Sequence, residues 1–352
     1  MRLILTTLLI AGHLPAQTPP ADAASEKPPR SGYRKLAYPG DKGRVVARVD
    51  GNDITLENVI AHISKRHAPD MDNFLRTPAG NLYFDHPEPA HWIRYYADVV
   101  ALREESRYRK VPASTIEKAL SESLKNAFQK NLDWLAKGRE RLNQTWEPTQ
   151  DSINILLDKF QREHGLKTEA QGYLNAMIGS DFTEKQAHRY HSNNARIFGG
   201  RVTFAHIMIE SRDRFTLALL EGKSRESALK RIEDVRSRLK KDGSNFEEIA
   251  RAYSQDLKTA PRGGVLRGAS RFDPMLPAAL CRAAWNLQDG SWTGPLESPY
   301  GLHFVKRISL SQQQFILFTP AALPTIRETM RKHQQEDFLY EVRKKRRVEL
   351  LY

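Results

Sequence analysis

The chain is nearly without cysteine. Cys281 is the single one in 352 residues, which excludes an internal disulfide. Close to Ala283 and Ala284 in a helical stretch, it reads as a small core residue rather than a nucleophile. Long apolar runs are missing too. The run from Leu3 to Ala11 is too short for a membrane-spanning helix, which needs about 20 residues. No internal repeat is visible. Acidic residues are outnumbered, 42 Asp and Glu against 55 Lys and Arg, for a net charge of +13. That excess favours anionic partners or surfaces in general and says nothing about fold.

What is present begins with Met1-Arg2, the apolar run, Pro15-Ala16 and Ala21-Asp22-Ala23. A positive start, a short apolar core and a small-x-small end mark a secretory signal, so residues 1–23 are read as a signal peptide. The plainer alternative is a buried N-terminal segment. No cysteine follows the run, which argues against a lipoprotein anchor. Residues 24–43, rich in Pro, Ala and charge, read as a disordered linker. The remaining length allows two domains of roughly 100–200 residues, and 40% hydrophobic composition supports a sizeable core.

Order is expected from Val45 to Val49, a strand closed by a turn at Asp50-Gly51, with Thr55 capping a helix from Leu56. Ile116, Leu120, Leu124, Phe128, Leu132 and Leu135 recur at helical spacing and predict one amphipathic helix over about residues 115–141. Pro148 is read as the start of the next, with Ile153, Leu156, Leu157 and Phe160 on one face and Gly165 as its stop. Thr183 and Gln186 have capping-box spacing and open a third. Pro324 leads into a last helix with Ile326, Met330, Phe338, Leu339 and Val342 as its apolar members. Such a helix cannot bury its stripe alone.

Between these helical parts lies the stretch from Val202 to Ile308, bracketed by two histidines. It opens with Val202-Thr203-Phe204-Ala205-His206-Ile207-Met208-Ile209 and closes with Tyr300-Gly301-Leu302-His303-Phe304-Val305-Lys306-Arg307-Ile308. Both runs are β-branched or aromatic and read as strands of one sheet. Between them come an amphipathic helix, the segment from Phe246 to Asp256, a glycine hinge at Gly263-Gly264, and a helix from Leu276 to Asn286.

Four markers in this order are specific where one alone is weak: His206-Ile207, the Phe-x-x-Ile-Ala-x-x-Tyr-Ser-x-Asp ending at Asp256, Gly263-Gly264-Val265-Leu266, and Gly301-x-His303-Phe304-x-Lys306. They resemble a parvulin-type (PpiC) peptidyl-prolyl cis/trans isomerase domain. The Val45–Thr55 entry resembles the N-terminal module of SurA/PrsA-type extracytoplasmic foldases. The resemblance implies an α+β fold, a small antiparallel sheet with surrounding helices over residues 199–310. This domain is inserted in a mainly helical chaperone domain made of residues 44–198 and a C-terminal helix, 320–352, that returns to pack on it.

It also implies rotation about X–Pro bonds. The barrier, about 18–20 kcal/mol, is amide resonance, so a catalyst need only hold the twisted amide better than the planar one. No cofactor or metal is called for. By motif, His206 and His303 match a histidine pair below the floor of the site, and Asp256 matches an acidic residue near the amide. Leu266 and Met275 match the apolar proline pocket. Its usual phenylalanine is replaced by Leu280, with Phe272 as the alternative. Arg267 stands where a glycine is customary, and residues around Phe215 to Gly222 form an insertion. The histidine role is either catalytic or structural.

Other features are set aside. His86-x-Glu88-x-x-His91 is interrupted by Pro87 and Pro89. His188 and His191 read as solvated. The Arg343-Lys344-Lys345-Arg346-Arg347 run reads as a solvated helix face or a contact to an anionic envelope surface, not a nucleic-acid site. The implied partners are unfolded or proline-containing polypeptides, with no transmembrane span in the mature chain, in the periplasm or secreted. The rival reading is a non-catalytic chaperone whose parvulin fold only binds peptide.

Overall fold

The computed structural model describes residues 36–77, 88–179, 181–312 and 314–352. The expected signal, most of the linker and His86 lie outside the described residues. In chain order the elements are β1 (Val45–Val49), β2 (Asn52–Thr55), α1 (Leu56–Arg66), α2 (Met71–Leu75), α3 (Glu88–Tyr108), α4 (Ala113–Glu140), α5 (Gln150–Ile178) and α6 (Glu184–Asn193). Then follow β3 (Gly200–Ile209), α7 (Gly222–Arg238), α8 (Phe246–Tyr253), β4 (Val265–Ala269), α9 (Ala278–Asn286), β5 (Trp292–Ser298) and β6 (Gly301–Gln312). Last come α10 (Leu323–Lys345) and β7 (Glu349–Leu350).

Local chemistry sets many of these boundaries. Asp50 and Gly51 both take positive φ, as a two-residue hairpin turn requires. Thr55 accepts from the Asn58 backbone while the Asn58 side chain accepts from Thr55, a reciprocal cap. Thr183 and Gln186 do the same for α6. Order starts earlier than the composition suggests, because Leu36 and Tyr38 are buried against the helical core.

Two antiparallel sheets organise the chain. In the first, β2, β1 and β7 lie in that order, with Ala47 opposite Leu350 and Arg48 opposite Glu349. The chain before β3 and the chain after β6 thus meet in one lobe. Its core joins Val46, Ile63, Ile93, Leu166, Val342 and Tyr352. In the second sheet the order is β4-β3-β6-β5, so the two histidine strands are the central pair. Helices α7 and α8 cover one face and α9 the other. The result is an α+β fold in which a small antiparallel sheet with its helices is set into a helical lobe.

The insertion after β3 fastens the two parts. Arg212, 1% exposed, donates to the Leu217 and Tyr352 carbonyls at 3.0 and 3.3 Å and to Glu297 at 2.7 Å. Leu217 itself joins the helical core. On the other side Arg271 and Arg282 pair with Glu336 and Asp337 of α10.

Three sequence readings need correction. Gly165 does not stop a helix: α5 runs through it from the Thr149 cap to Ile178. An added Cβ at Gly165 would lie 2.5 Å from His67 Cγ, so this glycine is a slot for an imidazole. His191 is buried, not solvated, and donates to the Ile316 carbonyl at 2.7 Å. The basic run of α10 is largely paired. Arg343 makes two bonds to Asp98, 2.7 and 2.6 Å, and Lys345 and Arg346 reach Glu105 at 2.8 and 3.1 Å. Asp98 and Glu105 are 2% and 1% exposed, so this is an internal clamp between α3 and α10.

Candidate active site

Strand alternation builds the site. Along β3, Ala205, Ile207 and Ile209 turn toward α7 and α8, and Val202 and Phe204 toward α9. His206 follows the period of two onto the α9 side. In β6, Phe304 joins the first face and Val305 the second, and His303 shares the face of Val305. The register sets His206 opposite Val305 and His303 opposite Met208. The two rings thereby lie almost parallel, 17° apart with centroids at 5.5 Å.

Both imidazoles are buried, at 5% and 1% exposure, and buried polar atoms need partners. All four ring nitrogens have one. The Nδ1 atoms face each other at 3.2 Å. His206 Nε2 lies 2.9 Å from Asp256 Oδ2 and 3.0 Å from Thr259 Oγ1, and His303 Nε2 lies 2.7 Å from Ser298 Oγ. With one proton on each ring, the acceptor-only carboxylate fixes the direction of the whole chain. His206 donates through Nε2 to Asp256, and its Nδ1 accepts from His303. His303 Nε2 accepts from the Ser298 hydroxyl, which accepts the Tyr300 N–H at 3.1 Å.

The electrostatics agree with that polarity. Hydrogen bonds from His206, and then from Thr259, hold the Asp256 carboxyl well below its usual range against the opposing effect of burial. Burial, with His206 beside it, pushes His303 down to about 3, so its ring stays uncharged near neutrality. Thr259 Oγ1 donates to Asp256 Oδ2 at 2.6 Å, and Asp256 Oδ1 accepts the Lys258 N–H at 3.1 Å. The Asp256 side chain keeps 22% of its surface in solvent. It is the exposed end of an otherwise buried chain.

The glycine hinge holds this geometry from behind. Gly264 takes φ +77° and its carbonyl accepts the His206 N–H at 2.9 Å. A Cβ there would stand 2.1 Å from the His206 carbonyl oxygen. Only glycine lets the two backbones come this close.

The expected pocket residues are less uniformly placed. Leu266 on β4, opposite Phe204, is half-buried against the α9-side core. Met275 is 86% exposed. Leu280 is a correction: at 1% exposure it is core beneath α9 and offers no surface to a ligand. Phe272 turns to the helical lobe, with its ring edge-on to His333 of α10 at 5.7 Å. Sequence reasoning missed Thr259 and Ser298. The Asp-x-x-Thr spacing after Asp256 was a signal for the first. For Ser298, a serine at a β-hairpin end, there was none. Cys281 is fully buried, and burial first of all pushes its thiol up to about 11.

Residues 206–309 match the PPIC-type PPIASE domain of the rotamase family. Over 86 residues, 24% of this chain, the sequence is 37% identical to "Chaperone SurA" of Burkholderia mallei, covering 18% of that protein. Over 93 residues, 25% of this chain, it is 34% identical to "Foldase protein PrsA" of Bacillus subtilis, covering 31% of it. The chain thus spans less than a third of the length of these curated relatives. Among solved structures it is similar to peptidylprolyl isomerase PrsA from Bacillus anthracis, with TM-score 0.28, 17% identity, and 71% of this chain and 96% of that one covered. For PrsA from Bacillus subtilis the values are 0.25, 18%, 86% and 91%. Residues 206–309 are therefore a PpiC-type parvulin domain, in a chain similar to SurA chaperones and PrsA foldases.

Proposed function

We propose that this protein is an exported foldase. Its parvulin domain isomerises X–Pro bonds, and its helical lobe holds unfolded polypeptide. The observation that carries the reading is the hydrogen-bonded chain from Ser298 through His303 and His206 to Asp256, ending in a carboxylate that is partly open to solvent. A planar X–Pro amide carries partial negative charge on its oxygen, and twisting removes part of it. A carboxylate fixed beside that carbonyl disfavours the planar form more than the twisted one, which lowers the barrier. In this reading the two histidines do not touch substrate. They hold Asp256 in place and in its charged state.

Holding of polypeptide is supported by apolar side chains left open along α4, the turn after it, and α5. Trp134 is 71%, Leu142 70% and Ile155 68% exposed. Export rests on the Met1–Ala23 segment, and no helix among the described residues is long and apolar enough to cross a membrane. The excess positive charge supports contact with an anionic envelope surface, although the Arg343–Arg347 run is mostly committed to internal pairs.

A second reading has its own observation. Leu280 is buried, Met275 almost fully exposed and Arg267 exposed beside the hinge, so a proline slot is not assembled from those residues. That favours a non-catalytic chaperone using the domain to bind peptide. Turnover of a proline peptide by the purified protein, measured beside suppression of client aggregation, separates the two. Isomerisation supports the first, and suppression without isomerisation the second. A steep salt dependence of DNA binding would instead point to a polyanion binder.

A further inference from the structure

A second group of titratable side chains lies outside the parvulin domain. His62 sits on α1, His67 is its C-cap, and Glu169 is on α5. His62 Nε2 and His67 Nε2 lie 2.7 and 2.9 Å from the same carboxylate oxygen, Oε2 of Glu169. Among the described residues this is the group of three His, Cys, Asp or Glu side chains whose ligand atoms all fall within 4.8 Å of one another.

Three features set the group apart from a surface ion pair. Glu169 is 4% exposed, and a carboxylate at that depth costs several kcal/mol unless it is partnered. Both imidazoles also converge on one oxygen instead of taking one each, so the three candidate ligand atoms lie close together. Finally, α5 is shaped for the group. Gly165, one turn before Glu169, leaves the space that His67 fills, although glycine inside a helix is about 0.5–1 kcal/mol less favourable than alanine. A cavity of about 330 Å³ opens onto His67 and Glu169 between Leu120, Gln161 and Thr168.

We propose that His62, His67 and Glu169 form a site for one divalent transition-metal cation of the zinc type, with its remaining position open to the cavity. Two imidazole nitrogens and one carboxylate oxygen suit such an ion. Magnesium and calcium prefer oxygen alone. Three protein ligands and an open position are the arrangement of an accessible zinc site. The present separations are hydrogen-bond lengths. Tetrahedral donors about 2.0–2.1 Å from zinc stand about 3.3 Å apart, so each ring withdraws by about half an ångström. Each ring also presents its Nε2 lone pair, moving its proton to Nδ1. Arg66 opposes binding, since its Nε lies 4.0 Å from Glu169 Oε1, but its side chain is 47% exposed and free to swing away. The bound ion would tie the end of α1 to α5.

The full chain is titrated with Zn²⁺ and separately with Co²⁺, using chelator competition, melting temperature and long-range ¹⁵N imidazole spectra. Expected are one saturable equivalent, a raised melting temperature, four-coordinate Co²⁺ absorption, and a switch of His62 and His67 from the Nε2–H to the Nδ1–H form. His67→Gln and Glu169→Gln should each weaken binding at least tenfold, Arg66→Ala should tighten it, and His188→Gln on exposed α6 should leave it unchanged. No saturable uptake, uptake unaffected by His67→Gln, or imidazole changes confined to other histidines overturns the proposal. If the buried variants fail to fold, the wild-type imidazole spectra decide it alone.

Discussion

His206 and His303 present the same atom to each other, Nδ1 to Nδ1 at 3.2 Å, and two such atoms bond only if one carries a proton and the other does not. Asp256 makes that choice from one end and Ser298 completes it at the other. The pair is therefore polar along its length, although the two residues come from matching strand motifs.

Stability should depend on pH through His303. Its folded pKa of about 3 lies below the ordinary 6.5. The unfolded chain therefore binds a proton that the folded protein refuses, and stability falls as pH drops from about 6.5 toward 3. One such proton contributes a slope of up to about 1.4 kcal/mol per pH unit. Between pH 6.5 and 5 the carboxylates contribute little, so denaturant unfolding there should show a shallower slope for His303→Asn than for the wild type. Equal slopes would mean that His303 is not held neutral by the fold. His303→Asn should also cost about 1–3 kcal/mol at pH 7, because His206 loses its partner.

Asp98→Ala should destabilise the helical lobe. It removes both carboxylate bonds of the Arg343 guanidinium, whose side chain keeps 41% of its surface in solvent, so the expected cost is about 1–3 kcal/mol. Lys344→Ala, at an exposed position in the same run, should change the unfolding midpoint by no more than about 0.5 kcal/mol. Similar losses in both variants would contradict the clamp.

Gly264→Ala should displace the site without touching any of its side chains. The new methyl meets the His206 carbonyl at 2.1 Å in a backbone conformation with positive φ, a combination costing on the order of 2–4 kcal/mol. The expected result is a lowered melting temperature with altered His206 imidazole resonances. Unchanged resonances would separate the hinge from the histidine.

Residues 199–310 should fold alone with a cooperative thermal transition, since both faces of the second sheet are covered from within. The fragment should nonetheless melt below the full chain, because Arg212 and Arg271 lose Tyr352 and Glu336. A fragment without a cooperative transition would place the domain boundary elsewhere.

The parvulin domain was legible because strand period, glycine hinge and helix caps are local signals, and four of them occur in order. His206, His303 and Asp256 came with those motifs. What stayed hidden depends on contacts far apart in the chain. Gly165 looked like a helix stop, since nothing near it announces that His67 enters from α1. The Arg343–Arg347 run looked solvated, since its carboxylates lie some 240 residues away. Leu280 was placed in a pocket by motif position, but the winding of α9 turns it into the core. Met275 falls in the loop before α9, where alignment of types says little about which way a side chain faces.

The central claim is that the Asp256 carboxylate, held by the histidine pair, accelerates X–Pro rotation. Asp256→Asn keeps the shape and one acceptor oxygen but removes the charge. The deciding measurement is kcat/KM on a proline peptide for wild type and Asp256→Asn, with aggregation suppression as the control. The account expects measurable wild-type turnover, a fall of about 10- to 100-fold in the variant, equivalent to about 1.4–2.7 kcal/mol of barrier, and unchanged suppression. Wild-type protein that suppresses aggregation but shows no turnover, or a variant as active as wild type, would contradict it.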